Sequence, residues 1–210
     1  MTDFADMIEG YRRFRAGEWA NHRARWAELA EGQNQRVMVI ACSDSRVDPS
    51  IIFDAGPGEM FVVRNVANLV PPFELGGLRH GVSSALEFAV NILEVPEVVV
   101  LGHGPCGGAA ASVSRSFQDK APGEGGFIAR WMGLLDEARD RVVAEHGDGH
   151  EAMHALELEG IKVSLANLRT FPCIASRETE GRLKLHGAYF PIDEGVLYVL
   201  DEASGEFSPV

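Results

Sequence analysis

Disulfides, basic charge and long apolar runs are what this 210-residue sequence is short of, and each shortage excludes something. Three cysteines are too few, and odd in number, for a disulfide framework, so the chain reads as one made for a reducing compartment. Against 31 Asp and Glu stand only 19 Lys and Arg, and the formal net charge of -12 repels nucleic-acid backbones and anionic membranes. A small anion in a local positive pocket is not excluded. No stretch approaches the roughly 18 apolar residues of a membrane span, and Met1-Thr2-Asp3-Phe4-Ala5-Asp6 has neither the basic start nor the apolar stretch of a secretory signal. The expectation is a cytoplasmic protein with no nucleic-acid and no membrane partner. Internal repeats, low-complexity tracts and long linkers are missing too. One domain over residues 1–210 is therefore expected, with a helical arm over 1–32.

What is present begins with Val37-Met38-Val39-Ile40-Ala41, an apolar run that reads as a buried parallel strand and surfaces at Cys42-Ser43-Asp44-Ser45-Arg46. If the backbone stays extended, Cys42, Asp44 and Arg46 fall at i, i+2 and i+4 and point to one side. A second run, Glu97-Val98-Val99-Val100-Leu101-Gly102, ends in His103-Gly104-Pro105-Cys106-Gly107-Gly108. Both apolar runs thus deliver soft metal ligands at their ends.

The arm carries Phe4, Ile8, Tyr11, Phe14, Trp19, Trp26 and Leu29 among charges, as one or two amphipathic helices that pack either on this chain's own core or on a neighbouring subunit. Asp48-Pro49 opens a short helix. Glu59 to Val63 reads as a strand closed by Arg64-Asn65-Val66-Ala67-Asn68, and Ser83 or Ser84 caps a helix running through Ile92. Helices follow over Ala109 to about Ser116, Phe127 to Glu145 and Glu151 to Leu168. Arg182 to Phe190 and Val196 to Leu200 flank a hairpin signal at Asp193-Glu194-Gly195. Strands alternating with helices imply an α/β protein: a three-layer fold around a mostly parallel β-sheet, with flanking helices and the N-terminal arm. Ligands in such sheets bind beyond the carboxyl ends of the strands, where both ligand clusters sit.

Zinc takes thiolate and imidazole in a tetrahedron, and three protein ligands leave one corner for water. Cys42, His103 and Cys106 supply that set; the competing reading makes both cysteines small buried thiols. The wording around them is more specific than the residue types. Cys42-Ser43-Asp44-Ser45-Arg46, Arg64-Asn65-Val66-Ala67-Asn68, Ser84-Ala85-Leu86-Glu87-Phe88-Ala89-Val90 and Gly102-His103-Gly104-Pro105-Cys106-Gly107-Gly108 follow one another as in the β-class carbonic anhydrases, which the stretch from Gln33 to Gly108 closely resembles. Weaker echoes lie at Ser164-Leu165-Ala166-Asn167-Leu168 and His186-Gly187.

The resemblance implies zinc held by Cys42, His103 and Cys106, an Asp44–Arg46 dyad, and reversible hydration of carbon dioxide to bicarbonate by hydroxide on zinc. It nominates Phe61, Val66, Phe88 and Gly104 for the substrate pocket and Gln33 as the amide that hydrogen-bonds a substrate oxygen. Gln33 and the Phe61 position come from the partner subunit in relatives, which implies a homodimer or homotetramer. Whether Asp44 also swings onto zinc as a fourth ligand, in an inactive closed state, the sequence leaves open. Phe88 stands where many relatives have tyrosine. Of a tryptophan, arginine and tyrosine that bind inhibitory bicarbonate in one bacterial subgroup, the positions here are Val39, Arg64 and Phe190, so no such regulatory pocket is expected. Independently of the family, two thiolates cancel much of the charge of zinc, so its water needs help to ionise. Asp44, kept ionised by Arg46, is placed to give it. The other readings are a carbon disulfide hydrolase-like sister activity and a structural zinc or redox module.

His150-Glu151-Ala152-Met153-His154 matches the zinc-peptidase pattern, but that pattern needs a third ligand downstream. Glu157 and Glu159 are too near on the same helix, so a peptidase is not expected. Cys173 reads as a buried thiol, and His80, beside Gly76-Gly77, as a candidate solvent-side proton acceptor.

Overall fold

The computed structural model of the protein describes residues 2–76 and 80–210. The chain falls into two compact units that divide between Asn34 and Gln35, two residues beyond the expected end of the arm. In the first, Asp3 accepts the Asp6 amide while the Asp6 carboxylate accepts the Asp3 amide, a capping box that starts α1 (Phe4–Phe14). A π-helical turn at Arg15–Trp19 leads towards α2 (Arg23–Glu31), and Phe14 meets Trp26 edge-on at 5.4 Å.

The second unit is built on a six-stranded sheet. Its strands are β1 (Val37–Cys42), β2 (Met60–Asn65), β3 (Glu97–Gly104), β4 (Lys184–Pro191), β5 (Tyr198–Asp201) and β6 (Glu206–Pro209), in the order β2-β1-β3-β4-β5-β6. The first four pair in parallel and the last two antiparallel, so the expected mostly parallel sheet is present. β6 had no counterpart in the sequence reading; its four residues are short and polar enough to pass for a tail.

Helices cover the sheet unevenly. Met38, Ile40, Val98 and Val100 face Leu86 of α4 (Gly81–Glu87), Ile161, Leu165 and Leu168 of α8 (His150–Leu168) and Ile174 of α9 (Pro172–Thr179). On the opposite face Val39, Ala41 and Leu101 meet Ile52 of α3 (Pro49–Ile52). At the carboxyl ends of the strands, α5 (Gly107–Val113), α6 (Gly126–Met132), α7 (Asp136–His146) and the first turns of α8 enclose a further cluster that includes Cys42 and Cys106.

Some boundaries differ from expectation for local reasons. α4 begins at Gly81 with no side-chain cap, and its last turn, Phe88–Ile92, is π-helical. The helix expected over Phe127–Glu145 breaks at Gly133–Leu135 into a 3₁₀ turn between α6 and α7. Asp48 does cap α3, accepting the Ser50 amide at 3.0 Å ahead of Pro49.

Candidate metal centre

The register of the parallel strands decides what meets at their ends. Ala41 pairs with Leu101 across β1 and β3, so Cys42 and His103 leave the sheet at one edge, and the Gly104-Pro105 turn returns Cys106 to the same place. The sulfurs of Cys42 and Cys106 and one ring nitrogen of His103 lie within 4.8 Å of one another. All three residues are buried, at 6%, 5% and 1% exposure. Among the described residues they form the only group of three or more such side chains able to grip one ion.

Both ring nitrogens of His103 are buried and, among the described residues, meet no protein oxygen or nitrogen, only the two thiols beside them, an arrangement costly for a histidine that serves only packing. The thiols show the same pressure. Hydrogen bonding from Cys106 pulls the Cys42 thiol down to about 4, against the cost of burial, with help from His103 and the amides of Asp44 and Ala67. Cys106 is pushed up, first by the hydrogen bond with Cys42 and then by burial. The protein alone thus favours one thiolate of the pair, and a divalent cation held there would supply the charge that lets both ionise. Two thiolates and an imidazole are a fitting donor set for zinc.

Asp44 and Arg46 do not follow the extended geometry. β1 ends at Cys42, and the chain turns at Ser45-Arg46, with the Val47 amide on the Asp44 carbonyl at 3.2 Å. The turn, and not strand periodicity, brings the guanidinium back onto the carboxylate. Arg46 Nε and one terminal nitrogen donate to the two Asp44 oxygens at 2.9 and 2.7 Å, and its amide adds a third bond at 3.0 Å. The same terminal nitrogen reaches the Pro105 carbonyl at 3.0 Å, tying the dyad to the ligand loop. These hydrogen bonds hold the Asp44 carboxyl well below the usual carboxylate range. Asp44 is not one of the grouped ligands; its oxygens are engaged by Arg46.

Arg64 is a support that sequence reasoning passed over. Its three nitrogens donate to the Cys42 carbonyl at 2.9 Å, the Asp44 carbonyl at 2.6 Å and Asp48 at 2.8 Å, so they brace the backbone on both sides of the first motif.

Phe61 and Phe88 stack with centroids 5.8 Å apart and ring planes 22° from parallel. Val66 lies at the start of a 3₁₀ turn against the first turn of α5: a Cβ on Gly108 would come within 2.9 Å of Ala67 and 3.3 Å of Val66. The Cβ direction of Gly104 is closed by Tyr189 and Glu157, so its missing side chain makes room for them. Gln33 is exposed in the N-terminal unit, whereas Gln35 in the second unit is buried and donates to the Gly58 carbonyl at 3.0 Å. His80, whose Nε2 is buried without a partner among the described residues, shares a cavity of about 440 Å³ with Asn65, Val66 and Trp131. Gly77, of the pair before it, lies outside the described residues. His154 points its Nδ1 at Tyr189 rather than at His150 and a third ligand, and the peptidase pattern finds no metal geometry among the described residues.

Comparison with known proteins agrees with this geometry. A family model described as carbonic anhydrase matches residues 37–197. A carbonic anhydrase of Pseudomonas aeruginosa is 38% identical over 203 residues, 96% of this chain and 90% of that protein. The solved structure of the β-carbonic anhydrase CcaA superposes with a TM-score of 0.89 at 34% identity, covering 100% of both chains. One of two tetrameric β-carbonic anhydrases from the ascomycete Sordaria macrospora aligns at a TM-score of 0.76 and 27% identity, over 98% of each chain.

Proposed function

From the premise that this chain belongs to the β-class carbonic anhydrase family, we propose that it catalyses the reversible hydration of carbon dioxide to bicarbonate with zinc held by Cys42, His103 and Cys106. The observation that carries the zinc reading is the buried Cys-His-Cys group, whose imidazole has no other partner among the described residues. Zinc bound there would act as a Lewis acid that brings the ionisation of water towards neutral pH. The chain's own residues supply the rest. Asp44 accepts the hydrogen bond of the attacking oxygen and aims its lone pair at the substrate. Arg46 takes both carboxylate oxygens and keeps Asp44 ionised, so the acceptor is in place before substrate arrives. A purely structural zinc site would leave this dyad without work.

Carbon dioxide is apolar, and the stacked Phe61 and Phe88 with Val66 support a dry wall for it. We assign Gln33 the hydrogen bond to a substrate oxygen and Gly104 a place beside that wall. The assembly we favour is a homodimer or homotetramer in which Gln33 and Phe61 reach the partner's site. Exposed Val62, Val66, Phe88 and Ile92, at 40%, 42%, 41% and 67%, together with the free side of β2 at the sheet edge, support it. No helix among the described residues is long and apolar enough to cross a membrane, and a cytoplasmic location is consistent with this. We keep the reading of one domain over residues 1–210 with an arm over 1–32.

Stopped-flow hydration of carbon dioxide on protein of measured zinc content tests the reading. About one zinc per chain with hydration activity, both lost in Cys106→Ala, is the expected result. Full zinc occupancy without hydration would overturn the proposed activity, and a monomer by light scattering would overturn the shared site.

A further inference from the structure

The chain places a carboxylate that nothing in the proposed reaction uses directly behind the metal ligands. Glu157 lies on the buried stripe of α8, with its side chain only 4% exposed. Its Oε1 accepts the backbone amide of Cys106 at 2.7 Å, and its Oε2 accepts the Tyr189 hydroxyl at 2.7 Å. Nδ1 of His154 lies 3.1 Å from the same hydroxyl, so the second histidine of the peptidase-like pattern sits at the outer end of this chain of bonds. Three elements, α8, β4 and the loop after β3, are thereby tied at one point. Gly104 is shaped to allow it: a Cβ there would sit 2.1 Å from the Tyr189 oxygen and 2.6 Å from Glu157 Oε2.

The amide that Glu157 holds belongs to a ligand residue itself, three covalent bonds from the sulfur. Were the carboxylate absent, the buried N–H would lose its only acceptor among the described residues, and the loop would move to find another. We propose that Glu157 is a positioning residue of the metal centre: through the Cys106 amide it sets where that sulfur points, and Tyr189 holds Glu157 in place. This rests on the reading of Cys106 as a zinc ligand. Residues that orient ligands in this way influence metal retention as well as rate.

The isosteric change separates positioning from charge. In Glu157→Gln the amide oxygen still accepts from Cys106, and the amide nitrogen donates to the Tyr189 oxygen, whose hydroxyl turns to His154. Every hydrogen bond survives while the charge disappears. Zinc release from loaded protein into excess chelator is measured alongside the absorption bands of the cobalt(II)-substituted protein, which report thiolate geometry and are indifferent to global stability. Glu157→Ala is expected to release zinc about 10- to 100-fold faster with shifted cobalt bands, and Glu157→Gln to stay within about threefold of the parent with parental bands. Tyr189→Phe falls between them. Parental release and bands in a folded Glu157→Ala, or a Gln variant as impaired as the Ala variant, would overturn the proposal. Should Glu157→Ala not fold, Tyr189→Phe decides, and parental behaviour there also overturns it. A folded parent that retains no zinc would instead sink the metal reading itself.

Discussion

Adding one carbon at Gly104 should do disproportionate damage, and the structure says how much and why. The backbone there lies outside the left-handed region, so Gly104→Ala carries no conformational penalty of its own. The cost is steric: the new methyl meets the Tyr189 oxygen at 2.1 Å, its Cζ at 3.1 Å and Glu157 Oε2 at 2.6 Å. Neither oxygen can simply swing away, because each is the other's hydrogen-bond partner and Glu157 also holds Cys106. Overpacking of this kind costs about 1–3 kcal/mol, and for a unit of this size each kcal/mol lowers the melting temperature by about 2–4 °C. Melting of Gly104→Ala should therefore fall by roughly 2–12 °C with zinc at fixed excess.

Tyr189→Phe removes the closest atom and frees Glu157, while leaving that carboxylate one donor short at a cost of about 1–3 kcal/mol. The double variant should then be better than the sum of the singles by about 1 kcal/mol or more. Thermal or urea unfolding of the four proteins measures that coupling. Additive singles, or a Gly104→Ala protein as stable as the parent, would refute the steric reasoning.

Other consequences are as direct. Arg46→Ala leaves Asp44 with only the residue 46 amide as donor, so hydration should slow by about 10- to 100-fold at unchanged zinc content, with incomplete recovery in Arg46→Lys; loss of zinc with the activity would speak against a purely orienting role. Zinc content should survive His154→Ala and disappear in Cys106→Ala, and the opposite pattern would revive the peptidase-like motif. Native zinc-loaded protein should show one titratable thiol out of three, Cys173, with all three appearing after chelation under denaturing conditions. Cys173, expected to be buried, is half-buried, and that burial raises its thiol above the ordinary value, so its alkylation at neutral pH should be slower than that of a free cysteine and gain as the pH rises; alkylation at pH 7.5 as fast as that of a free cysteine would contradict that environment.

The Cys-His-Cys group and the sheet were legible in order along the chain because both depend on local rules. Apolar runs of β-branched residues make buried strands whichever helices cover them, and a cysteine or histidine just past such a run must emerge at the sheet's carboxyl edge. The sequence itself therefore determined the α/β layering, the two strand tips and the Cys42, His103 and Cys106 set. What it could not determine depends on contacts between segments far apart in the chain. The Asp44–Arg46 pairing was expected, and only its route, a tight turn in place of an extended strand, was not. Arg64 braces that turn from 20 residues away, and Glu157 reaches Cys106 across 51. Glu157 was weighed in the sequence only as a third ligand for the peptidase-like pattern; that it lies on the buried stripe of α8 and holds Cys106 took the structure. Side-chain type announces the need for a hydrogen bond; only packing decides which distant group meets it.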